Sequence, residues 1–251
     1  MSPRVAVILC ACNAESYIGG AIESILAQSF KDFEFIIVDN GSTDKTWEII
    51  RSYNDSRVKP FQTPIRQLSF NLNFGMLQTS AEYIARMDAD DLARKDRLQK
   101  QYEFLSANPD ICVLGSAFEK FGDDLEKSKI ISMPQTDKEI RKKLAFRFCL
   151  CHPTVMFRRQ AIIDAGGYQG GKYCQDVDLW LRLSRNKEIK FANLPDVLLD
   201  YRIHKDQAKG GRESFIMTSV QLLREAMIQK SFRLFAGFIL SLFKLLIRAG
   251  K

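Results

Sequence analysis

The sequence of 251 residues contains no apolar run that approaches the roughly 20 residues needed to cross a bilayer. It also has no internal repeat, no low-complexity tract and no linker rich in proline, glycine or serine. Its hydrophobic fraction of 46% is enough for a substantial core. We therefore expect one domain with an extension, and no membrane-spanning segment.

The six cysteines are too scattered for the framework of a small disulfide-rich protein. The N-terminal apolar run VAVILCA passes directly into a helical pattern, so we expect a strand and a helix there rather than a secretion signal. Without such a signal, the cysteines are expected to be reduced cytoplasmic thiols. Cys149, Cys151 and His152 resemble part of a zinc site, but their spacing is unusual and no second cysteine pair accompanies them.

Glycine-rich phosphate loops are absent as well, since the sequence contains neither G-x-G-x-x-G nor G-x-x-x-x-G-K-[ST]. Such loops hold phosphate groups with their backbone N–H groups. If this chain binds a diphosphate, a metal ion held by carboxylates would have to neutralise the phosphate charge.

The positive charge is concentrated toward the C-terminus. The net charge is +7, and residues 205–251 contain nine basic and three acidic side chains, which accounts for six of those charges. Because the rest of the chain is near neutral, a surface that coats nucleic acid is not expected there. Any partner of the basic surface is expected at the C-terminal end.

Apolar, β-branched runs alternate with helical patterns along the first part of the chain. Strands are predicted at 5–10, 33–38, 58–62 and 82–87, and helices at 16–29, 45–53, 70–80 and 94–109. This alternation predicts an α/β fold with a mainly parallel, doubly wound sheet that carries helices on both faces.

Two acidic loops follow strands of this predicted sheet. The segment MDADD places Asp88, Asp90 and Asp91 after the fourth strand, and Asp39 begins the loop VDNGSTD after the second. Open α/β sheets bind ligands at the carboxyl ends of their strands, and crowded carboxylates favour a cation. Together the loops favour a cation-assisted nucleotide site, although each alone is also compatible with a solvated turn that caps a helix.

Five motifs follow one another along the chain. They are the opening segment from VAVILCACNAES through VDNGSTDKTWEII, then LNFG, EYIARMDADD, the group CHPTVMFRR, GGY and CQDVDLWLRL, and finally YRIH. In this order they resemble the family 2 glycosyltransferases of the GT-A fold, among them enzymes of bacterial surface polysaccharide and O-antigen synthesis. The resemblance covers about residues 4–204. It implies a GT-A domain at 1–205, with a nucleotide-sugar half at about 1–110 and an acceptor half at about 111–205, and leaves a helical extension at 206–251.

On the donor side, the resemblance implies that Asp39 binds the base of a nucleotide-sugar such as a UDP-sugar, with Asn13 and Glu15 near the nucleotide. Asp88 is expected to face the ribose and the sugar. In the same way Asp90 is expected to ligate Mn²⁺ or Mg²⁺ on the diphosphate. The resemblance further assigns His204 to the metal or diphosphate contacts.

On the acceptor side, the resemblance implies that Asp176 is the general base of a single displacement that inverts the anomeric centre. Gln175 replaces the glutamate that the family usually has before this aspartate, so one charge beside the base is lost. Other residues nearby are expected to be structural: Asp178 as a helix cap, Trp180 and Leu181 as core. His152 is expected to be a structural histidine or a wall of the acceptor pocket.

The segment SFRLFAGFILSLFKLLIRAGK, at 231–251, has helical periodicity with one narrow polar stripe. The stripe consists of Arg233, Gly237, Ser241, Lys244 and Arg248. Its wide apolar face and terminal basic residues favour a helix that lies on the inner face of the cell membrane. A helix that buries this face on the body of the protein, or on the partner of a homodimer, is the alternative.

Taken together, the sequence predicts a cytoplasmic, membrane-peripheral glycosyltransferase that acts on a saccharide acceptor, which the tail suggests is lipid-linked. Two other functions are weighed against it. A nucleotidyltransferase on a similar sheet would need a glycine-rich basic loop after the first strand, and CACNAES is not one. A catalytically inactive sugar-binding module is disfavoured by the intact Asp39, Asp88, Asp90 and Asp176.

Overall fold

One mixed sheet of nine strands organises the part of the chain that the structure describes. This structure is a computed structural model, and it describes residues 3–122, 127–205, 207 and 211–249, with side chains of the last helix described as far as Leu245. The strands are β1 Val5–Ala11, β2 Phe33–Asp39, β3 Val58–Gln62, β4 Tyr83–Asp88, β5 Leu92–Ala93, β6 Ile111–Phe121, β7 Lys129–Ile131, β8 Met156–Arg158 and β9 Lys190–Arg202. They lie in the order β3-β2-β1-β4-β8-β6-β9-β5, with β7 paired to β6.

Strands β1, β2, β3 and β4 are parallel to one another, as the sequence predicts. The short strand β8 runs antiparallel between β4 and β6, whereas β6 and β9 are parallel to each other. The carboxyl ends of β1, β2 and β4 therefore meet at one edge of the sheet. The prediction of an α/β fold with a mainly parallel central sheet is confirmed.

Helices cover both faces of this sheet. They are α1 Ile18–Leu26, α2 Thr46–Ser52, α3 Leu68–Leu77, α4 Arg97–Ala107, α5 Asp137–Lys143, α6 Arg159–Asp164, α7 Gln175–Leu183, α8 Arg212–Ile228 and α9 Phe232–Ala249. Successive side chains of β1 alternate between the two faces: Val7 packs in the core under α1 and α4, and Ile8 in the core under α3 and α7. Burial on both faces explains why these strands are continuous apolar runs.

Helices α8 and α9 form an antiparallel hairpin that packs on α7. Leu222 and Ala226 of α8, Leu234 of α9 and Leu181 of α7 share a small buried cluster. The polar stripe of α9 does not face solvent along its length. A Cβ at Gly237 would overlap the carbonyl oxygen of Ala145, so glycine lets this helix approach the body closely.

The inward-facing part of the α9 stripe includes Ser241, which is buried and whose Oγ accepts a hydrogen bond from Ser219 Oγ at 2.8 Å. Arg233 and Lys244 remain exposed, and the side chain of Arg248 lies outside the described residues. The apolar residues that point outward include Phe232 and Phe243, which are 84% and 60% exposed. Among the described helices, none is long and apolar enough to cross a membrane.

Candidate active site

Three carboxylates cluster where β4 ends. One ligand atom from each of Asp88, Asp90 and Asp91 lies within 4.8 Å of the other two. Strand β4 ends at Asp88, and the chain then turns so that Asp90 and Asp91 point back toward the same region. Like charges at this spacing repel one another unless a cation or a proton lies between them.

The raised pKa values of two of these carboxyl groups also indicate that the cluster favours a nearby positive charge. Burial, followed by the charge of Asp88, raises the pKa of Asp90 above its ordinary value. Burial and the charges of Asp88 and Asp90 raise the pKa of Asp91 well above its ordinary value. Asp91 is fully buried, and its Oδ2 atom has no hydrogen-bond partner among the residues that the structure describes. Hard oxygen donors, a buried orphaned carboxylate oxygen and unrelieved repulsion fit a divalent cation such as Mn²⁺ or Mg²⁺.

Two arginines contact the cluster. Arg86 precedes Asp88 by two residues on the same strand, is 3% exposed and forms an ion pair with it. Burial acts to lower the pKa of Arg86, but the neighbouring Asp88 raises it, so the guanidinium stays charged. Arg202 donates from its backbone to Asp91 Oδ1 at 2.8 Å and from Nε to the Asp90 carbonyl at 2.8 Å.

His204 contacts the cluster through Asp90. Its Nε2 atom lies 3.1 Å from Asp90 Oδ2, and its ring centroid lies 4.6 Å from that of Tyr17, with the two rings tilted by 41°. The Nδ1 atom of His204 is buried and has no hydrogen-bond partner within the described part of the chain. The predicted metal role of His204 stays a prediction, because the contact seen here would also serve to orient the Asp90 carboxylate.

The loop after β2 is hydrogen-bonded to the loop after β1 at the same edge of the sheet. Asn13 Oδ1 accepts a hydrogen bond from the backbone of Thr43 at 2.9 Å, and Glu15 Oε2 accepts one from the backbone of Lys45 at 2.9 Å. Asn13 has a positive φ of 51°, a conformation that asparagine tolerates better than most residues. The residues expected near the nucleotide therefore shape one loop pair.

Asp39 lies at the base of this loop pair and is fully buried. Its Oδ2 atom accepts a hydrogen bond from Gln62 Nε2 at 2.9 Å, and both oxygens accept longer ones from the backbone of Ser42. A nucleotide base would have to share this carboxylate with the Gln62 amide. The role expected for Asp39 remains a prediction.

Asp176 is the second residue of α7 and is half-buried. Burial is the largest cause that raises its pKa above the ordinary value, while the charge of Arg86 lowers the pKa and that of Asp88 raises it. The charges of Arg86 and Asp88 therefore act on Asp176, which indicates that α7 carries it near the β4 cluster, 85 positions after Asp91 in the sequence. A carboxylate with a raised pKa is a stronger base, which suits the removal of a proton from a hydroxyl.

The residues around Asp176 are structural. Asp178 is not a helix cap: it is 1% exposed and pairs with Arg182 at 2.7 Å and Arg224 at 2.6 Å. Trp180 and Leu181 are buried in the core, as the sequence indicates. His152 Nε2 lies 2.9 Å from the Tyr168 hydroxyl, and burial lowers the pKa of this histidine well below its ordinary value.

Sequence reasoning missed three basic residues at this edge. Arg86 and Arg202 contact the carboxylate cluster, and Arg66 donates from Nε and Nη2 to the carbonyl of Gly41 at 3.0 and 2.6 Å. Arg86 could have been recognised from the sequence, because a charged residue inside an otherwise apolar buried strand needs a partner. Arg66 and Arg202 could not, since basic residues in loops and at strand ends are common.

Comparison with known proteins gives a consistent result for most of the chain. Residues 6–166 match the model of the family described as Glycosyl transferase family 2. The O-antigen biosynthesis glycosyltransferase WbnJ of Escherichia coli is 34% identical over 250 residues, which cover 97% of each chain. The amylovoran biosynthesis glycosyltransferase AmsE of Erwinia amylovora is 28% identical over 90% of this chain and 85% of its own.

Solved structures agree on the fold. The structure of Staphylococcus aureus TarS 1-349 has a TM-score of 0.71 at 21% identity, and the match covers 96% of this chain and 72% of that one. TarS has also been solved with UDP-GlcNAc, with a TM-score of 0.69 at 20% identity over 88% and 66% of the two chains. The mannosyltransferase PcManGT of Pyrobaculum calidifontis, solved with GDP-Man and Mn²⁺, has a TM-score of 0.65 at 18% identity over 92% and 65%.

Proposed function

Because this chain belongs to glycosyl transferase family 2, we propose that it transfers a sugar from a nucleotide-sugar to a saccharide hydroxyl with inversion at the anomeric carbon. One observation carries the proposal: a cluster of metal-type carboxylates at the end of β4 is accompanied by a separate carboxylate on α7, whose pKa burial raises and which feels the charges of Arg86 and Asp88. The two parts match the two requirements of the reaction, which are a neutralised leaving group and a base for the attacking hydroxyl.

Asp90, with Asp88 and Asp91 beside it, would hold Mn²⁺ or Mg²⁺, which would neutralise charge on the donor diphosphate. Asp88 also keeps its ion pair with Arg86, so we assign it to the ribose and sugar of the donor. Arg202 holds the turn in place through the backbone of Asp90 and the side chain of Asp91. Asn13, Glu15 and Asp39 form the nucleotide end of the site.

Asp176 accepts the proton of the acceptor hydroxyl as its oxygen bonds to the anomeric carbon. The bond between that carbon and the diphosphate oxygen breaks with its electron pair on the leaving nucleoside diphosphate. Attack from the face opposite the leaving group turns an α-linked donor into a β-linked product. Gln175 is 8% exposed and neutral, so it adds no charge that would raise the pKa of this base further.

We infer a UDP-sugar donor and a role in surface polysaccharide synthesis. The structural neighbour TarS binds UDP-GlcNAc, and the sequence relatives named above act in O-antigen and amylovoran biosynthesis. PcManGT supports a nucleotide-sugar and Mn²⁺ while differing in the base, which is guanine. UDP is therefore the first donor nucleotide to test, and GDP the second.

A panel of nucleotide-sugars tests the proposal on the full-length chain. With Mn²⁺, the cognate donor at about 100 times its Kd should stabilise the fold by about 2.7 kcal/mol. At roughly 2–4 °C per kcal/mol for a chain of this size, the shift in Tm is easily measured. The same donor should release its nucleoside diphosphate when a saccharide acceptor is added. No stabilisation and no release with any UDP-, GDP- or dTDP-sugar would overturn the proposal.

We also propose that the enzyme works on the inner face of the cell membrane, on a lipid-linked acceptor. The outward side of the α8–α9 hairpin is apolar on both helices: Met227 is 72% exposed, and Phe232, Phe235 and Phe243 are exposed along α9. Exposed Arg212, Lys230, Arg233 and Lys244 accompany it, with Glu213 as an exposed acid on the same hairpin. Apolar side chains with basic neighbours suit an anionic lipid surface, and they disfavour a second copy with the same charge.

Sedimentation with anionic vesicles tests the membrane proposal. The wild type should pellet with the vesicles, and Phe235→Gln with Phe243→Gln should remove most of that binding. Leu77→Gln is the matched control, because Leu77 is 71% exposed on α3 and away from the hairpin. Wild-type protein that stays in the supernatant but forms a dimer lost in the double variant would make this face a dimer interface instead.

A further inference from the structure

The residue immediately before α7 has an unusual backbone. Cys174 has φ 61° and ψ 26°, in the left-handed region that a residue with a Cβ seldom occupies. It lies two residues before Asp176, and it has no side-chain cap interaction with its own helix. Strained residues of this kind persist only where the surrounding structure holds them in place, and they concentrate at functional sites.

Helix α8 supplies the contacts that hold Cys174. Gln221 Nε2 donates to the Cys174 carbonyl at 3.1 Å, and Thr218 Oγ1 donates to the Cys174 sulfur at 3.3 Å. The thiol in turn donates to the carbonyl of Ser214 at 3.4 Å. Three positions on successive turns of one helix therefore contact a single residue that is distant in sequence.

The Cys174 carbonyl also accepts the backbone N–H of Asp178 at 3.0 Å, the first hydrogen bond along α7. The contact with Gln221 thus acts on the same oxygen that starts the helix carrying Asp176. Gln221 is 4% exposed, so its amide has no access to bulk water as an alternative partner. Farther along the two helices, Arg185 pairs with the fully buried Glu225 at 2.5 Å.

We propose that α8 positions the general base by holding Cys174 in its left-handed conformation, which makes Gln221 and Thr218 positioning residues for Asp176. The inference rests on the proposed function, because it assigns a purpose to α8 only if Asp176 accepts the proton of the acceptor. It also gives the C-terminal hairpin a part in transfer that is separate from membrane attachment. The inner side of α8 holds the base, and its outer side is the proposed lipid-facing surface.

Two matched pairs of variants test the positioning role in the full-length enzyme. Gln221→Leu removes the donor to Cys174, and Gln229→Leu is its control. Gln229 contacts α7 through the Leu181 carbonyl at 3.4 Å, far from the base. Thr218→Val removes the hydroxyl at nearly constant shape, and Thr218→Ser keeps it. A displacement of about 1 Å costs on the order of 100-fold in rate, so kcat should fall about 10- to 100-fold in Gln221→Leu and less in Thr218→Val.

Gln229→Leu and Thr218→Ser should keep kcat near the wild-type value, and all four variants should bind UDP with Mn²⁺ as the wild type does. A loss of kcat that follows the loss of Tm across all four variants would mark a merely structural role and would overturn the inference. So would unchanged turnover in Gln221→Leu.

Hydrogen exchange separates this inference from the proposed function. Backbone amides of residues 176–179 should exchange faster in Gln221→Leu than in Gln229→Leu, whether or not an acceptor is known. Equal exchange in the two variants would overturn the positioning role even if the wild type transfers sugar. A wild type without transferase activity, but with the expected difference in exchange, would overturn the function and leave the contact with Cys174 established.

Discussion

The two halves of the proposed site, one for the nucleotide and one for the acceptor, hold their carboxylates by different means. In the nucleotide half, Asp39 is the last residue of β2, where it pairs with Ala11 of β1 and Gln62 of β3. Asp88 is the last residue of β4 and pairs with Cys10 of β1. In the acceptor half, Asp176 stands at the start of a helix whose first turn is held by α8. Strand pairing in the sheet positions Asp39 and Asp88, whereas packing between helices positions Asp176.

Because of this difference, we expect the two sets of carboxylates to respond differently to substitutions elsewhere in the protein. Strand ends inside a buried parallel sheet tolerate changes elsewhere, because the backbone ladder and the core on both faces determine them. A helix start with a strained residue depends on a few side chains from one distant segment. We expect changes in the acceptor half to lower transferase activity while nucleotide binding stays intact. Changes in the nucleotide half should lower both activity and nucleotide binding.

The largest expected effect is in the acceptor half, for Asp176→Asn. The amide cannot accept the proton of the attacking hydroxyl, so transfer should fall by roughly 10²- to 10⁴-fold, the usual contribution of a general base. Binding of UDP with Mn²⁺ should change little, since the donor contacts come from other elements. Steady-state transfer and calorimetry on the same preparation measure both. Asp164→Asn, at an exposed position of α6, is the control. More than about a tenth of wild-type turnover in Asp176→Asn would place the base elsewhere.

The nucleotide half should respond to Asp90→Ala in binding as well as in turnover. Loss of a charged metal ligand removes a contact of about 1.5–3 kcal/mol, so the affinity for UDP in Mn²⁺ should fall by roughly tenfold or more. EDTA should weaken binding to the wild type by a similar factor and have little further effect on the variant. Asp55→Asn is the control, because Asp55 pairs with Arg57 at the surface. Equal affinity with and without metal would exclude the metal role of this cluster.

Most of the nucleotide half could be predicted from the sequence. The strands β1, β2 and β4 are continuous apolar runs, and each is followed by polar residues whose place at the sheet edge follows from the alternation of strands and helices. Periodicity is a local property, so no knowledge of distant contacts was needed. The burial of Asp39 under Gln62 was not visible, since that contact depends on the register of β3 against β2.

The acceptor half was predictable only through the resemblance. Strand β6 pairs with β9, which begins 69 residues after the end of β6, and β8 inserts between β4 and β6 against the parallel order. No local pattern encodes such pairings. The α9 stripe shows the same limit: its spacing was correct, but glycine and serine serve there as close-packing residues on the body rather than as a solvent-exposed side.

The hairpin offers a smaller test, in stability, of how closely it packs on the acceptor half. Gly237→Ala should destabilise the fold by about 1–3 kcal/mol, because the new Cβ would meet the Ala145 carbonyl and force a backbone shift. Alanine in place of a mid-helix glycine ordinarily stabilises a protein by about 0.5–1 kcal/mol. A destabilising effect at Gly237 would therefore indicate the close contact with Ala145. Gly19→Ala on α1, where the nearest atom would lie at an ordinary 3.5 Å, should be neutral or stabilising. Thermal unfolding of both variants gives the comparison, and stabilisation by Gly237→Ala would contradict the packing of α9 on the body.

The smallest expected effect is a pH dependence of stability that arises from His152, which lies in the 3₁₀ turn His152–Thr154. Burial holds the pKa of this imidazole well below 6.5, so the folded protein keeps it neutral while the unfolded chain takes up a proton as the pH falls. The unfolded state then binds more protons, and the contribution of His152 to stability is lost below about pH 6.5, by at most about 1.4 kcal/mol per pH unit.

Buried aspartates also titrate in acid, so the measurement is the difference in unfolding free energy between the wild type and His152→Gln, whose amide can keep a hydrogen bond to Tyr168. Between pH 7.5 and 5.5 this difference should move against the wild type by about 1.4 kcal/mol, and parallel stability curves would show that the folded protein accepts the proton on His152.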